Sequence, residues 1–191
     1  MKKLLIILLA ISALSCKTQQ VIIPVEKHIE YQNDEIEFPN NAYLKDVNNL
    51  LDKYVGVWKK TQNNKIYEFH VIKVARESND EYMQFKKDEL EIRYKITNAV
   101  TGNVIVDTTI LNEGPYVIKG KHFNLDKTVY SLYYIGLNNK CGQNGIVFIY
   151  FHTSDLNQMN LFLSVNGGTV NCPTGQVPQV LPTDAITLIK Q

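Results

Sequence analysis

Histidines and carboxylates are the side chains here with the widest chemical reach. His70, His122 and His152 fall in or beside separate extended segments, while His28 lies near the start of the chain. Three neutral imidazoles brought together would bind zinc or copper. Nothing in their spacing forces them together, and scattered strand-face residues are the plainer reading. Glu68, Asp107 and Glu113 could act as acid and base. No spacing pairs them, and solvated face charges explain them better. There is no G-x-S-x-G, H-E-x-x-H, Walker loop, G-x-G-x-x-G or C-x-x-C. The sequence therefore assigns no catalytic residue, no metal and no cofactor, and the expectation is a protein that is not an enzyme. The aromatics say more. Tyr130, Tyr134, Phe148 and Tyr150 are candidates to line a cavity for a small apolar or amphipathic ligand, with hydroxyls to orient it. The same rings could instead fill the interior of a small barrel. Tyr133 and Tyr134 are neighbours, so in a regular strand they face opposite sides.

The first residues speak to location. Lys2 and Lys3 precede an apolar run from Leu4 to Leu14, interrupted only by Ser12. That run suits a signal peptide and falls short of the roughly 20 residues that span a bilayer. Ala13-Leu14-Ser15-Cys16 resembles a lipobox, in which small residues precede the cysteine that becomes the lipidated N-terminus. The resemblance implies a bacterial lipoprotein: residues 1–15 removed, Cys16 carrying acyl chains such as palmitate, and attachment to the membrane through that lipid. Each buried methylene contributes about 0.8 kcal/mol, so two or more chains hold stably. Lys17, rather than an aspartate, follows the cysteine. By the enteric sorting pattern that favours the outer membrane, with the domain facing the periplasm or the cell surface. In such an oxidising compartment Cys141 and Cys172 form an even pair, expected as a disulfide, with free thiols as the alternative. Two ligands at this spacing are too few for zinc.

Net charge is +1, so no long-range field draws in nucleic acid. Residues 16–40 hold Pro24, Pro39 and no sustained period, which reads as a flexible tether with room for one short extended piece at Val21-Ile22-Ile23. Its reach would be roughly 25–30 Å. The barrel domain is then expected over residues 41–191. Leu44, Val47, Leu51 and Tyr54 recur at three or four positions, predicting a short helix over 42–54.

Strand texture follows. Eight strands are predicted at 55–62, 65–75, 90–97, 103–111, 115–122, 128–137, 145–153 and 158–166, with a possible ninth at 186–189. Short turn signals between them, such as Gln62-Asn63-Asn64 and Thr101-Gly102-Asn103, favour antiparallel hairpins. The expectation is a mostly β protein: an antiparallel, eight- or nine-stranded up-and-down barrel preceded by one short helix. The segment from Cys172 to Pro182 should cross one end of it as an ordered loop.

Gly56-Val57-Trp58, after the predicted helix and at the start of the first strand, resembles the G-x-W of lipocalins. There the tryptophan closes one end of an eight-stranded barrel. The resemblance covers Tyr43 to about Asn166 and implies a lipocalin-like barrel with Gly56 and Trp58 at its closed end. Lipocalins also place an arginine over that tryptophan from near the end of the barrel, and Arg76 and Arg93 come too early for it. The whole chain also resembles small uncharacterised bacterial lipoproteins. From this follow two expected roles: holding a small apolar ligand in the barrel, or, with a filled barrel, contacting an envelope protein through loops 138–144 and 167–182.

Overall fold

The computed structural model describes residues 20–78, 84–110, 116–169, 172–173 and 175–191. The expected signal peptide and Cys16 lie outside the described residues. Eleven strands occur in one sheet: β1 (Ile22–Pro24), β2 (Ala42–Lys45), β3 (Gly56–Gln62), β4 (Lys65–Glu77), β5 (Phe85–Asn98), β6 (Val104–Asp107), β7 (Ile118–Phe123), β8 (Val129–Ile135), β9 (Asn144–Tyr150), β10 (Gln158–Val165) and β11 (Ile186–Lys190). Eight of them close a ring in the order β3-β4-β5-β7-β8-β9-β10-β11 and back to β3, every pair antiparallel. This is the expected up-and-down barrel. Its eighth stave is the segment at 186–189 that the sequence offered as a ninth strand. The predicted strand at 103–111 is reduced to β6, which lies outside the ring.

Alternation explains the wall. On β5, Leu90, Ile92, Tyr94 and Ile96 point inward with no exposure, while Lys87, Glu89, Glu91, Arg93 and Lys95 point outward. The β3–β4 hairpin turns on Asn63 and Asn64, both with positive φ (51° and 58°), which suits the twist of a two-residue hairpin.

The fourteen-residue β5 organises the rest. One edge runs its full length along β4. The other edge is shared in succession by β2 at 85–87, β7 at 91–92 and β6 at 95–97. The β5–β7 seam has only two registered pairs, and ionic contacts support it. Lys87 donates to the carbonyls of Gly120 (3.0 Å) and Lys121 (3.3 Å) on β7. Glu89 is held by Arg76 (3.0 Å) and Lys87 (2.7 Å), and Glu91 by Arg76 (2.7 Å) and Arg93 (3.1 Å). Both carboxylates are nearly inaccessible, which is tolerable only because each meets two cations.

Two expectations need correction. Residues 42–54 are not a helix. They form β2, a turn and a single 3-10 turn at Asp52–Tyr54. The cause is Asp46, whose side chain is fully buried. Its Oδ1 accepts the Leu50 N–H (2.8 Å) and its Oδ2 the Leu51 N–H (3.1 Å), with Lys73 Nζ at 3.3 Å. Such a side-chain turn competes with helix formation, and Asn49 takes φ 54° inside it. Leu44, Leu51 and Tyr54 are buried as a helix face would bury them, but Val47 is exposed.

Within the expected tether, residues 22–33 are ordered: the short extended piece at 21–23 is present as β1, and the order continues beyond it. There β1 pairs in parallel with β2, a 3-10 turn spans Val25–Lys27, and a short helix, α1 (His28–Asn33), the one α-helix among the described residues, follows. Val25 enters the main core at 1% exposure, and Ile23 joins Ala42 and Leu44 in a smaller one. Replacing Asp46 with alanine strands the Leu50 and Leu51 N–H groups and leaves Lys73 with Asp52 alone. It is expected to lower stability by about 2–3 kcal/mol, measurable by urea denaturation.

Candidate functional site

One end of the barrel is closed by Trp58. Its ring is fully buried, and its Nε1–H donates to the carbonyl of Tyr54 (2.7 Å), the last residue of the 3-10 turn. Phe151 meets Trp58 edge-on at 6.0 Å and Tyr54 at 5.1 Å. Lys190, on the last strand, carries its ammonium 5.2 Å from the indole centroid. Gly56 makes this crossing possible. Its φ is +138°, and a Cβ there would sit 2.8 Å from Lys190 Cε. The sequence reading sought an arginine over the tryptophan and missed this lysine. Its place two residues after the buried Leu188, on the same face of the last strand, was the available signal.

The other end is covered by the loop after Cys172. Cys141 and Cys172 form a disulfide with Cα atoms 5.1 Å apart, as expected. Three hydrogen bonds extend the clamp: Val177 N–H to the Cys141 carbonyl (3.0 Å), Gln143 Nε2 to the Pro178 carbonyl (2.8 Å) and Gln179 Nε2 to the Gly142 carbonyl (2.8 Å). Leu181 then packs into the core at 2% exposure.

Between these ends the interior is occupied. The buried cluster includes Tyr54, Trp58, Phe69, Tyr94, Phe123, Tyr130 and Tyr134, and none of its buried members exceeds 6% exposure. A void wide enough for water would leave accessible area on its lining. Neighbouring rings meet at 4.8 Å (Phe123–Tyr130) to 6.5 Å (Tyr54–Phe123). Burial raises the pKa of the Tyr54, Tyr94, Tyr130 and Tyr134 phenols. The Tyr130 hydroxyl occupies the space over Gly120, where a Cβ would lie 2.4 Å away.

The four residues expected to line a ligand chamber therefore do not share one. Tyr130 and Tyr134 are locked in the packed core. Phe148 and Tyr150 face outward, because β9 turns Val147 and Ile149 inward. His70, His122 and His152 do not gather into a metal site among the described residues either. His70 lies on the outer wall, 2.5 Å from Glu68, which Lys59 also holds (2.7 Å). Those partners keep the Glu68 carboxyl below its usual range. Asp107 is bonded to Thr109 and Lys95, and Glu113 lies outside the described residues. Among the described residues no three potential metal ligands cluster.

One pairing was not foreseen. His28 on α1 meets His122 on β7 edge to face at 5.7 Å, with Phe38 at 5.5 Å on its other side. Burial, then the nearby charges of Lys87 and His122, depress His28 to about 3. The period of α1 is too short for sequence to announce this contact.

Comparison with known proteins gives one match. A family model described as "Family of unknown function (DUF6705)" covers residues 1–191. No curated protein and no solved structure matches the chain.

Two outcomes are expected. Replacing Cys141 and Cys172 with alanine should cost roughly 3–4 kcal/mol in the chain-entropy account, seen as a lower denaturation midpoint. Neutral His28 is favoured by the fold, so the unfolded segment binds more protons between its ordinary value of 6.5 and about 3. Docking of α1 should weaken as pH falls through that window, read as faster amide exchange over 22–33. His28→Phe should flatten the pH dependence.

Proposed function

We propose, from the premise that the chain belongs to the DUF6705 family, that this protein is a lipid-anchored, non-enzymatic binding module of the bacterial cell envelope with a lipocalin-like barrel. The lipobox-like Ala13-Leu14-Ser15-Cys16 supports the anchor, and the disulfide is at home in an oxidising compartment. The run from Leu4 to Leu14 acts as the export signal, Cys16 carries the lipid, and the domain sits on the outer membrane. Gly56 and Trp58, with Lys190 standing where lipocalins place an arginine, support the lipocalin-like reading.

The observation that carries the mode of binding is the filled interior. Side chains with at most 6% exposure leave no chamber among the described residues for a small apolar ligand. Recognition then falls to the outside. The clamped end, with the 138–144 turn and the described part of 167–182, offers the contact surface for an envelope protein. It is exposed at Asn138, Asn139, Lys140 and Gln176, and its disulfide and three hydrogen bonds keep the surface preorganised.

Two measurements test this. Cys16→Ser in the full chain should move the protein from the membrane fraction to the soluble fraction; unchanged membrane attachment would contradict the anchor. A photo-crosslinker at Lys140 or Gln176 should give one discrete adduct in intact cells, and a crosslinker at Lys127, at the opposite end, should not. Equal labelling from all three positions would contradict the assigned surface.

A further inference from the structure

The outer wall near the Trp58 end carries a cleft that neither reading uses. We propose that it binds a pyranose unit of a neutral glycan. In register across three strands, Tyr150 on β9 lies beside Asn160 on β10, and Asn160 beside Thr187 on β11. His152, Thr153 and Gln158 complete the lining of a cleft of about 320 Å³. All six side chains are neutral polar or aromatic groups, in a chain where 20% of residues are charged. No ammonium or guanidinium is among them to attract a phosphate, and His152 is the one metal-ligating side chain in the lining, too few for a metal site.

The chemistry matches a sugar in two ways. A pyranose hydroxyl both donates and accepts, and so do Tyr, Thr, His and the carboxamides of Asn and Gln. Two of the carboxamides are already oriented. Thr187 Oγ1–H donates to Asn160 Oδ1 (2.9 Å), which leaves the Asn160 Nδ2 as a donor, and Gln158 Nε2 donates to Asp155 Oδ2 (2.8 Å), which leaves Oε1 as an acceptor. Fixed polarity of this kind selects a hydroxyl pattern rather than any polar ligand. The second match is aromatic. On the same face, one register step along, Phe148 and Phe162 stack at 5.1 Å with their planes 23° apart, flanking Tyr150. The apolar C–H face of a pyranose stacks on an aromatic face, and Tyr150, the ring that lines the cleft, supplies it beside the Phe148–Phe162 pair. An aromatic ring beside oriented amides suits a sugar better than an acyl chain, which would leave the amides unpaired.

The site is independent of the lipid anchor and of the clamped end, so its failure would leave both readings standing. The test uses the full chain in a polyoxyethylene detergent, which has no sugar head group, and saturation-transfer NMR with chitotetraose, cellotetraose and maltotetraose. These separate an amino-sugar glycan from β- and α-linked glucans. Transfer to at least one is expected. Tyr150→Ala and Asn160→Ala should each weaken it about tenfold, the worth of one stacked ring or one good hydrogen bond. Tyr133→Ala, an exposed aromatic elsewhere on the wall, should leave it unchanged, and thermal unfolding of each variant checks the fold. No transfer to any of the three sugars at millimolar concentration, or equal loss from Tyr133→Ala, would overturn the proposal.

Discussion

Closure of the ring rests on two short seams. At one, β11 meets β3 through Ile189↔Lys59 and Lys190↔Trp58; at the other, β7 meets β5 through Glu91↔Lys119 and Ile92↔Ile118. Two registered pairs are little to hold a barrel shut, so side chains reinforce each seam. Trp58 anchors the first: its indole is buried beneath Lys190, and its N–H is tied to Tyr54. The second is supported by Lys87 reaching two β7 carbonyls and by the paired Glu89 and Glu91. Removing Arg76, the partner common to both, would leave each buried carboxylate with a single cation and raise the cost of its burial.

A closed eight-stave ring has an interior only just wide enough for side chains, and this chain fills it with its own. Tyr94, Tyr130 and Tyr134 bring bulk to that interior. Gly120 yields the room that the Tyr130 hydroxyl needs. The consequence reaches function directly. With the core occupied, whatever the protein recognises must meet its loops or its outer wall, where rigid strands hold Tyr150, Asn160 and Thr187 in fixed register.

Much of the barrel was legible because alternation survives in strands with one wet face. Leu90-Ile92-Tyr94-Ile96 against Glu89-Glu91-Arg93-Lys95 reads only one way. On β9 that contrast disappears: Val147 and Ile149 are as apolar as Phe148 and Tyr150, so the sequence gives no phase, and the two outward rings read as inward ones. The helix over 42–54 was misread for a related reason. Leu44, Leu51 and Tyr54 satisfy a helical period but are buried by a strand, a turn and a 3-10 turn, and the deciding group is the Asp46 carboxylate, whose partners are backbone N–H groups that no pattern reveals. The disulfide was readable from cysteine parity. The meeting of His28 with His122 was not, because it depends on where β1 and α1 dock.

The claim at the centre of this account is that the barrel has no room for a guest. Its most direct test is titration of the full chain with a long-chain fatty acid, followed by the fluorescence of Trp58, the single tryptophan in the chain, and by native mass spectrometry. The account expects no saturable change in emission and no one-to-one complex. A stoichiometric complex with a saturable shift of the indole emission would contradict it and return the ligand to the interior.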